Sequence, residues 1–261
     1  MSWDESLFHR QLTTRRFGRE FVWMPELDST NRWLFEHAAE FTMSGGVAAT
    51  DHQTAGRGRY DRVWHDVPGS SLLFSVLLRY KTCSESAGFL AFLPAISLAG
   101  TLIAHCGDKC HISLKWPNDV LLNKRKAAGI LGQTIVQGED SLSVVGIGLN
   151  IAMRRRELPE EIRERATSVL DEAGKSLARE SVLAEFLSRL ENLYDRFMAH
   201  DWAGLRFQWE RYAPERGTPM TRREGTEVFS GWYEGVGDGG QLLLRDETGI
   251  IREFWSGDIE Q

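Results

Sequence analysis

The residues best suited to chemistry concentrate in Gln53-Thr54-Ala55-Gly56-Arg57-Gly58-Arg59-Tyr60-Asp61-Arg62-Val63-Trp64. Positions 56–62 hold three arginines and two glycines in an otherwise acidic chain. Glycine lets the backbone approach a ligand closely and take positive φ. Arginine brings a permanent charge and a planar fork of donors that matches carboxylate and phosphate. Such a loop can close over an anion, although a solvated surface turn has the same composition. Lys115 ends a β-prone run beside Trp116 and Asp119, and Lys126 falls in the basic turn 123–126. An arginine loop, a strand-end lysine and a carboxylate able to hold Mg²⁺ together suit the activation of a carboxylic acid with ATP.

These residues need a scaffold, and the pattern supplies one. Phe21-Val22-Trp23 reads as a strand, and Asp28-Ser29-Thr30-Asn31 offers several N-caps for the helical run after it. On capping alone, Ser29 and Thr30 need no other role. Val47–Thr50 is a short strand leading into the arginine loop, and Leu72–Leu78 is a continuous apolar run expected to be a strand buried on both faces. Val120–Leu122 and Gly129–Leu131 read as two short strands joined at a lysine-rich hairpin tip that carries Lys126. Leu142–Ile151 is another strand, and its Gly146 and Gly148 mark close approach by a ligand or another backbone. Charged residues 154–180 read as surface loop with helical turns. Residues 181–197 place Leu183, Phe186, Leu187, Leu190, Tyr194 and Phe197 on one helical face. After a helical stretch at 202–212, the tail from Gly217 has short β-prone runs between glycine-rich turns, which predicts a small antiparallel barrel.

Composition excludes several classes. A net charge of −6 argues against a general nucleic-acid binder. The charged N-terminus shows no signal peptide, and three cysteines (Cys83, Cys106, Cys110) fit a reducing cytoplasm. Gly88–Ala104 carries no charge, yet its polar interruptions and helical spacing predict a buried helix rather than a membrane span. Gly146-Ile147-Gly148 lacks the third glycine of a dinucleotide fingerprint, and there is no P-loop. His105-Cys106 and Cys110-His111 could in principle hold zinc, but cysteines at a helix–strand junction are ordinarily buried hydrophobes.

Five stretches in order resemble the biotin protein ligases: Asp28–Asn31, Gln53–Arg59, Lys115-Trp116-Pro117-Asn118-Asp119, Arg125–Leu131 and Gly146–Asn150. Ser256-Gly257-Asp258 is similar to the family's last strand. The resemblance spans about residues 21–261. It implies an α/β (α+β) catalytic domain of the class II aminoacyl-tRNA-synthetase type over 1–213, with a mixed sheet flanked by helices, and an SH3-like β-barrel over 214–261. It also implies the reaction: biotin and MgATP give biotinyl-5′-AMP and pyrophosphate, and the adenylate acylates a lysine of a biotin carboxyl carrier domain.

By position, the resemblance assigns Ser29, Thr30, Asn31, Gln53, Gly56, Arg57, Gly58, Arg59 and Lys126 to biotin, with Lys126 and Arg57 catalytic. It assigns Arg59, Trp64, Lys115, Asn118, Gly148 and Asn150 to the nucleotide and Asp119 to Mg²⁺. It implies a single-function ligase without a DNA-binding module, acting in the cytoplasm away from DNA and membrane. An exposed sheet edge offers either a homodimer contact or a dock for the carrier domain. Two positions depart from the family pattern: Asp61 where glycine is usual, and Gln133 where glutamate is frequent. Rival readings are a lipoate or octanoate ligase and a non-catalytic biotin-binding regulator.

Overall fold

Two β-sheets organise the chain, of which the computed structural model describes residues 3–82 and 86–260. Cys83 lies outside the described residues. Helix α1 (Glu5–Gln11) starts at Asp4, whose carboxylate accepts the Leu7 amide at 2.8 Å. Strand β1 (Phe21–Leu27), helix α2 (Thr30–Glu36) and β2 (Val47–Gln53) then form a β-α-β unit with parallel strands. Next come β3 (Ser71–Lys81), α3 (Ser86–Cys106), β4 (Ile112–Lys115), β5 (Asp119–Leu122), β6 (Arg125–Gln137) and β7 (Asp140–Asn150). Short helices α4 (Glu160–Arg163) and α5 (Val169–Ala173) lead to α6 (Arg179–Met198) and α7 (Trp202–Glu210). Strands β8 (Pro219–Glu224), β9 (Glu227–Val236), β10 (Leu242–Arg245), β11 (Ile251–Phe254) and β12 (Asp258–Glu260) complete the chain.

The first seven strands make one mixed sheet, ordered β1-β2-β3-β7-β6-β5-β4, in which β1 and β2 pair in parallel and the other neighbours antiparallel. Strand side chains alternate between faces, and the two faces here differ in kind. Leu72, Phe74, Val76 and Leu78 of β3, with Val145, Ile147 and Leu149 of β7, enter the main core together with residues of α3 and α6. Leu77 and Val144 point the other way, into a smaller cluster with Leu34, Ala38 and Phe41. The second face is therefore covered by α2 over part of its area, and Ser75 of β3, Gly129 of β6 and Gly146 and Gly148 of β7 fall on it.

Helix α3 is long and apolar enough to cross a membrane by length and composition, yet most of that stretch is buried inside the molecule. An all-round apolar helix is what an interior position requires. The face predicted for α6 is buried residue by residue, from Leu183 to Phe197. Glu191 on the same helix is 6 % exposed and accepts the amides of Arg15 (2.8 Å), Arg16 (2.7 Å) and Phe17 (3.3 Å), which fixes the N-terminal segment. Burial alone would raise this carboxyl's pKa. The three amides and the Arg16 charge outweigh it, so Glu191 sits below the usual carboxylate range.

Strands β8–β12 form a five-stranded antiparallel sheet, the small SH3-like unit, ordered β11-β10-β9-β8-β12. Its Met220, Tyr233, Val236, Leu242, Leu244 and Ile259 belong to the same hydrophobic cluster as the large sheet. The Trp116 indole donates to the Gly240 carbonyl at 3.2 Å, and Gly88 packs so closely on Gly239 and Gly240 that a Cβ there would collide with backbone.

One sequence expectation is corrected here. Lys126 is not on a hairpin tip. β6 is 13 residues long and begins at Arg125, so the tip is Asn123–Lys124, both at positive φ (48° and 68°), and Lys126 is a strand residue. The helical stretch read to 212 ends at Glu210. Cys106 and Cys110 are buried, and burial pushes the Cys106 thiol up to about 11, so it stays protonated and is a poor metal ligand. Among the described residues no group of three or more His, Cys, Asp or Glu is arranged to hold a metal.

Candidate active site

The N-terminus of α2 meets the open face of the sheet in a buried polar network. Ser29 is the N-cap, as capping chemistry predicts, with its hydroxyl accepting from the Arg32 amide. Thr30 and Asn31 do something else. Both are buried, and their side chains meet Ser75 of β3, whose hydroxyl lies 2.7 Å from Thr30 Oγ1 and 2.6 Å from Asn31 Oδ1. Ser75 has one proton, and an amide oxygen can only accept. Ser75 therefore donates to Asn31 Oδ1, and the one Thr30 hydroxyl proton is shared between Ser75 Oγ at 2.7 Å and Gln53 Oε1 at 3.2 Å. The Asn31 amide nitrogen donates to the Leu131 carbonyl at 3.0 Å, which orients the whole group. Gln53, the last residue of β2, turns its amide oxygen to the Thr30 amide at 2.9 Å. Sequence reasoning missed Ser75. Its signal was there, as the one polar residue inside the apolar run 72–78.

Glycine forms the floor beside this network. In the register of β6, β7 and β3, Gly129 lies opposite Gly148, which lies opposite Leu73; one row on, Leu131, Gly146 and Ser75 align. The Trp64 ring lies over the first row: a Cβ on Gly148 would come within 2.5 Å of it and one on Gly129 within 3.0 Å. A Cβ on Gly146 would run into Asn31 Oδ1. Sequence alone called for close approach at Gly146 and Gly148, and here a side chain makes it at each. The Trp64 Nε1 is buried with no hydrogen-bond partner.

Lys126 stands at the rim of this floor. Its ammonium is 2.7 Å from Asp119 Oδ1 and 5.9 Å from the centroid of the Trp64 ring, and it folds back over Gly129. Asp119 sits opposite both Gly129 and Lys115 in the strand register, which puts Lys115 in the adjoining row. Asn118 donates from its side chain to the Ile130 carbonyl at 2.6 Å and accepts the Ile130 amide on its own carbonyl at 3.0 Å, bracing the turn before β5. Asn150 is buried and committed within the protein: its amide nitrogen donates to the Thr167 carbonyl (3.0 Å) and its oxygen accepts from Ser71 (3.4 Å).

The arginine loop is a small hairpin. Arg57 bridges Val63, the Gly58 amide donates to the Arg62 carbonyl at 2.7 Å, and the Trp64 amide donates to Gly56 at 3.0 Å. At the tip, Tyr60 and Asp61 both have φ of 56°, a left-handed conformation in which glycine is at ease and a side chain is strained. Asp61 lies 3.8 Å from Arg57 across the turn, both exposed. Arg59 donates to the Gly257 carbonyl at 3.2 Å, and Arg62 pairs with Asp258. The loop is thus tied to the C-terminal sheet, a contact that sequence reasoning did not foresee.

A mixed sheet flanked by helices, with a buried polar network where α2 meets one face and Lys126 beside Asp119 on that face, is the architecture of a synthetase-like ligase domain of the class II type, the fold of the solved ligase below. The biotin/lipoate A/B protein ligase family model matches residues 23–150. A biotin–[acetyl-CoA-carboxylase] ligase of Paracoccus denitrificans is 35% identical over 85% of this chain and 92% of its own. The bifunctional ligase/repressor of Bacillus subtilis is 33% identical over 98% of this chain and 78% of its own length. The solved biotin protein ligase of Aquifex aeolicus in complex with biotin and ATP superposes with a TM-score of 0.77, at 30% identity, covering 93% of this chain and 98% of that one. The chain belongs to the biotin/lipoate A/B protein ligase family.

Proposed function

We propose that this protein is an ATP-dependent biotin protein ligase, which joins biotin to AMP with release of pyrophosphate and passes the biotinyl group to a lysine of a carboxylase's biotin carboxyl carrier domain. The reading rests on one observation above the rest: Thr30, Asn31, Gln53, Trp64, Lys126 and Asp119 all meet on the glycine-floored face of a fold shared with a ligase solved with biotin and ATP.

In the first step a biotin carboxylate oxygen attacks the α-phosphorus of ATP, and the bond to the pyrophosphate oxygen breaks. Two anions must meet, so cations have to neutralise the developing charge. Lys126 and Arg57 supply them. Asp119 holds the Lys126 ammonium in place until a phosphate or carboxylate oxygen takes over. Ser29, Thr30 and Asn31 shape the biotin end, and Gln53 fixes the Thr30 backbone with its oxygen and turns its amide nitrogen to the ligand. Gly56, Gly58 and Arg59 let the loop close and keep water from the mixed anhydride. Trp64, Gly148, Lys115 and Asn118 serve the nucleotide. Asn150, bonded at both ends, acts by holding the Thr167 segment. Mg²⁺ arrives on the nucleotide as part of the substrate. A single carboxylate such as Asp119 suits that ion, which keeps most of its shell of phosphate and water. In the second step the carrier lysine's amine attacks the acyl carbon and AMP leaves.

Biotin-dependent exchange of labelled pyrophosphate into ATP tests the first step. Exchange with biotin is expected. Exchange driven by lipoate and not biotin would overturn the substrate, and none with either would favour a non-catalytic biotin-binding regulator.

A further inference from the structure

One buried carboxylate takes no part in the adenylation chemistry. The Asp66 side chain is 2 % exposed, and His52 Nδ1 at 2.9 Å is its one hydrogen-bond or ion-pair partner among the described residues. An ionised carboxylate can only accept, so the imidazole donates from Nδ1. His52 stands on β2 just before Gln53, and Asp66 comes soon after Trp64, so the pair closes the arginine loop at its base. Below the pair both stems are fixed. Asp51 pairs with Arg179 and accepts the Gly69 amide on its carbonyl at 3.0 Å, and the Thr50 hydroxyl donates to the His52 carbonyl at 3.1 Å.

Above the pair the two arms of the loop differ. The outgoing arm is tied to β1 and α2 on its own account: Gln53 Oε1 accepts the Thr30 amide at 2.9 Å, and the Thr54 and Ala55 amides donate to the Leu27 and Asp28 carbonyls, both at 2.9 Å. The returning arm has no such ladder. Its backbone bonds stay within the loop, as from Trp64 to Gly56 at 3.0 Å, while Arg59 and Arg62 reach the C-terminal sheet. Among the described residues, His52–Asp66 is the one hydrogen bond or ion pair between residues 58–66 and the large sheet. Yet this arm carries Trp64, whose ring covers Gly129 and Gly148.

We propose that His52 and Asp66 are positioning residues whose contact is the pivot of the loop and sets Trp64 over the glycine floor. The pair thereby governs the nucleotide end of the site and leaves the biotin end to the outgoing arm. A buried carboxylate separated from its partner is heavily penalised, whereas a partly exposed pair such as Arg62–Asp258 contributes little. The tip can therefore open while the base stays closed. Which ligand each arm serves rests on the ligase reading; the pivot itself does not.

Pyrophosphate-exchange kinetics and amide hydrogen exchange on the full chain test it. His52→Ala/Asp66→Ala removes both partners together, so no buried charge is stranded. In this variant the KM for ATP should rise about ten-fold while the KM for biotin stays within about two-fold of wild type. The Trp64 amide should exchange about five-fold faster, with Thr54 and Ala55 unchanged. His52→Asn keeps a donor where Nδ1 stood and should return both readouts to near wild type. Both KM values rising together, an unchanged KM for ATP, His52→Asn as impaired as the double alanine, or faster exchange spread through the core would overturn the pivot. A wild-type chain without biotin-dependent exchange would instead sink the ligase reading. Amide exchange would then decide the pivot by itself: acceleration confined to the returning arm supports it, and acceleration in neither arm or in both refutes it.

Discussion

Replacing Ser75 with alanine removes one hydroxyl from the floor of the pocket, and the structure sets the cost. The residue has no solvent exposure, and its hydroxyl joins Thr30 Oγ1 at 2.7 Å to Asn31 Oδ1 at 2.6 Å. Asn31 Oδ1 has no other donor, because the space beside it is filled by Gly146, whose missing Cβ it occupies. The alanine would therefore leave one buried polar group, Asn31 Oδ1, without a partner, while the Thr30 hydroxyl keeps Gln53 Oε1 at 3.2 Å. A stranded group costs about 1–3 kcal/mol, so Ser75→Ala should lose about 1–3 kcal/mol. For a chain of this size that lowers the melting temperature by roughly 2–10 °C. Urea unfolding reads the loss directly. Gly146→Ala should give a loss of the same kind by a different route, since the new methyl displaces the Asn31 amide from Ser75 and Leu131. In both variants the KM for biotin should rise about ten-fold, the equivalent of about 1.4 kcal/mol, because Thr30 and Asn31 lose their fixed orientation. A Ser75→Ala protein that unfolds within about 0.5 kcal/mol of wild type, a margin ordinary for a surface change, and keeps its biotin KM would refute the single-proton network.

Lys126→Ala and Arg57→Ala should each cut adenylate formation by about 10²–10³-fold, the scale of losing one preorganised charge partner, while circular dichroism shows an intact fold, since both side chains are at least partly exposed. Limited proteolysis should nick the exposed loop between Arg57 and Arg62, biotin with ATP should protect it, and Asp258→Ala should speed cleavage by freeing Arg62; rates indifferent to all three would count against loop closure. Acid should loosen the N-terminal segment. Glu191 has a folded pKa below its unfolded value, so its contribution is complete above the ordinary carboxylate range and lost as the pH falls through the folded pKa. Amide exchange at Arg15–Phe17 should accelerate there relative to the rest of the core, and Glu191→Gln should flatten that dependence.

The strongest periodic elements were readable because burial imposes their pattern. The face of α6 and the doubly buried β3 had to be apolar at those spacings, whatever lay next to them. The glycines of β7 were readable as points of close approach, since a strand interior otherwise disfavours glycine. Lys126 was misplaced onto a turn because Arg125 and Lys126 are polar and local propensity cannot see the pairing that carries β6 back to residue 125. The loop motif announced its charge and flexibility in sequence, but its hairpin form depends on Tyr60 and Asp61 accepting a left-handed backbone, and its anchorage depends on Gly257 and Asp258 nearly two hundred residues away.

The amino-acid sequence by itself determined the family and the identities of the groups able to neutralise an anion, because side-chain chemistry and order along the chain are local properties. Tertiary structure alone decided which of them work together. Ser75 became part of the pocket because the period of two turns it to the face opposite Leu72 and Phe74, where the N-terminus of α2 arrives. Lys126 met Asp119 because antiparallel pairing folds β6 back on β5, and Trp64 found room over Gly129 and Gly148 because the register sets two residues without side chains opposite each other. Register, facing and long-range approach are set by the cooperative packing of distant segments, which local spacing does not encode.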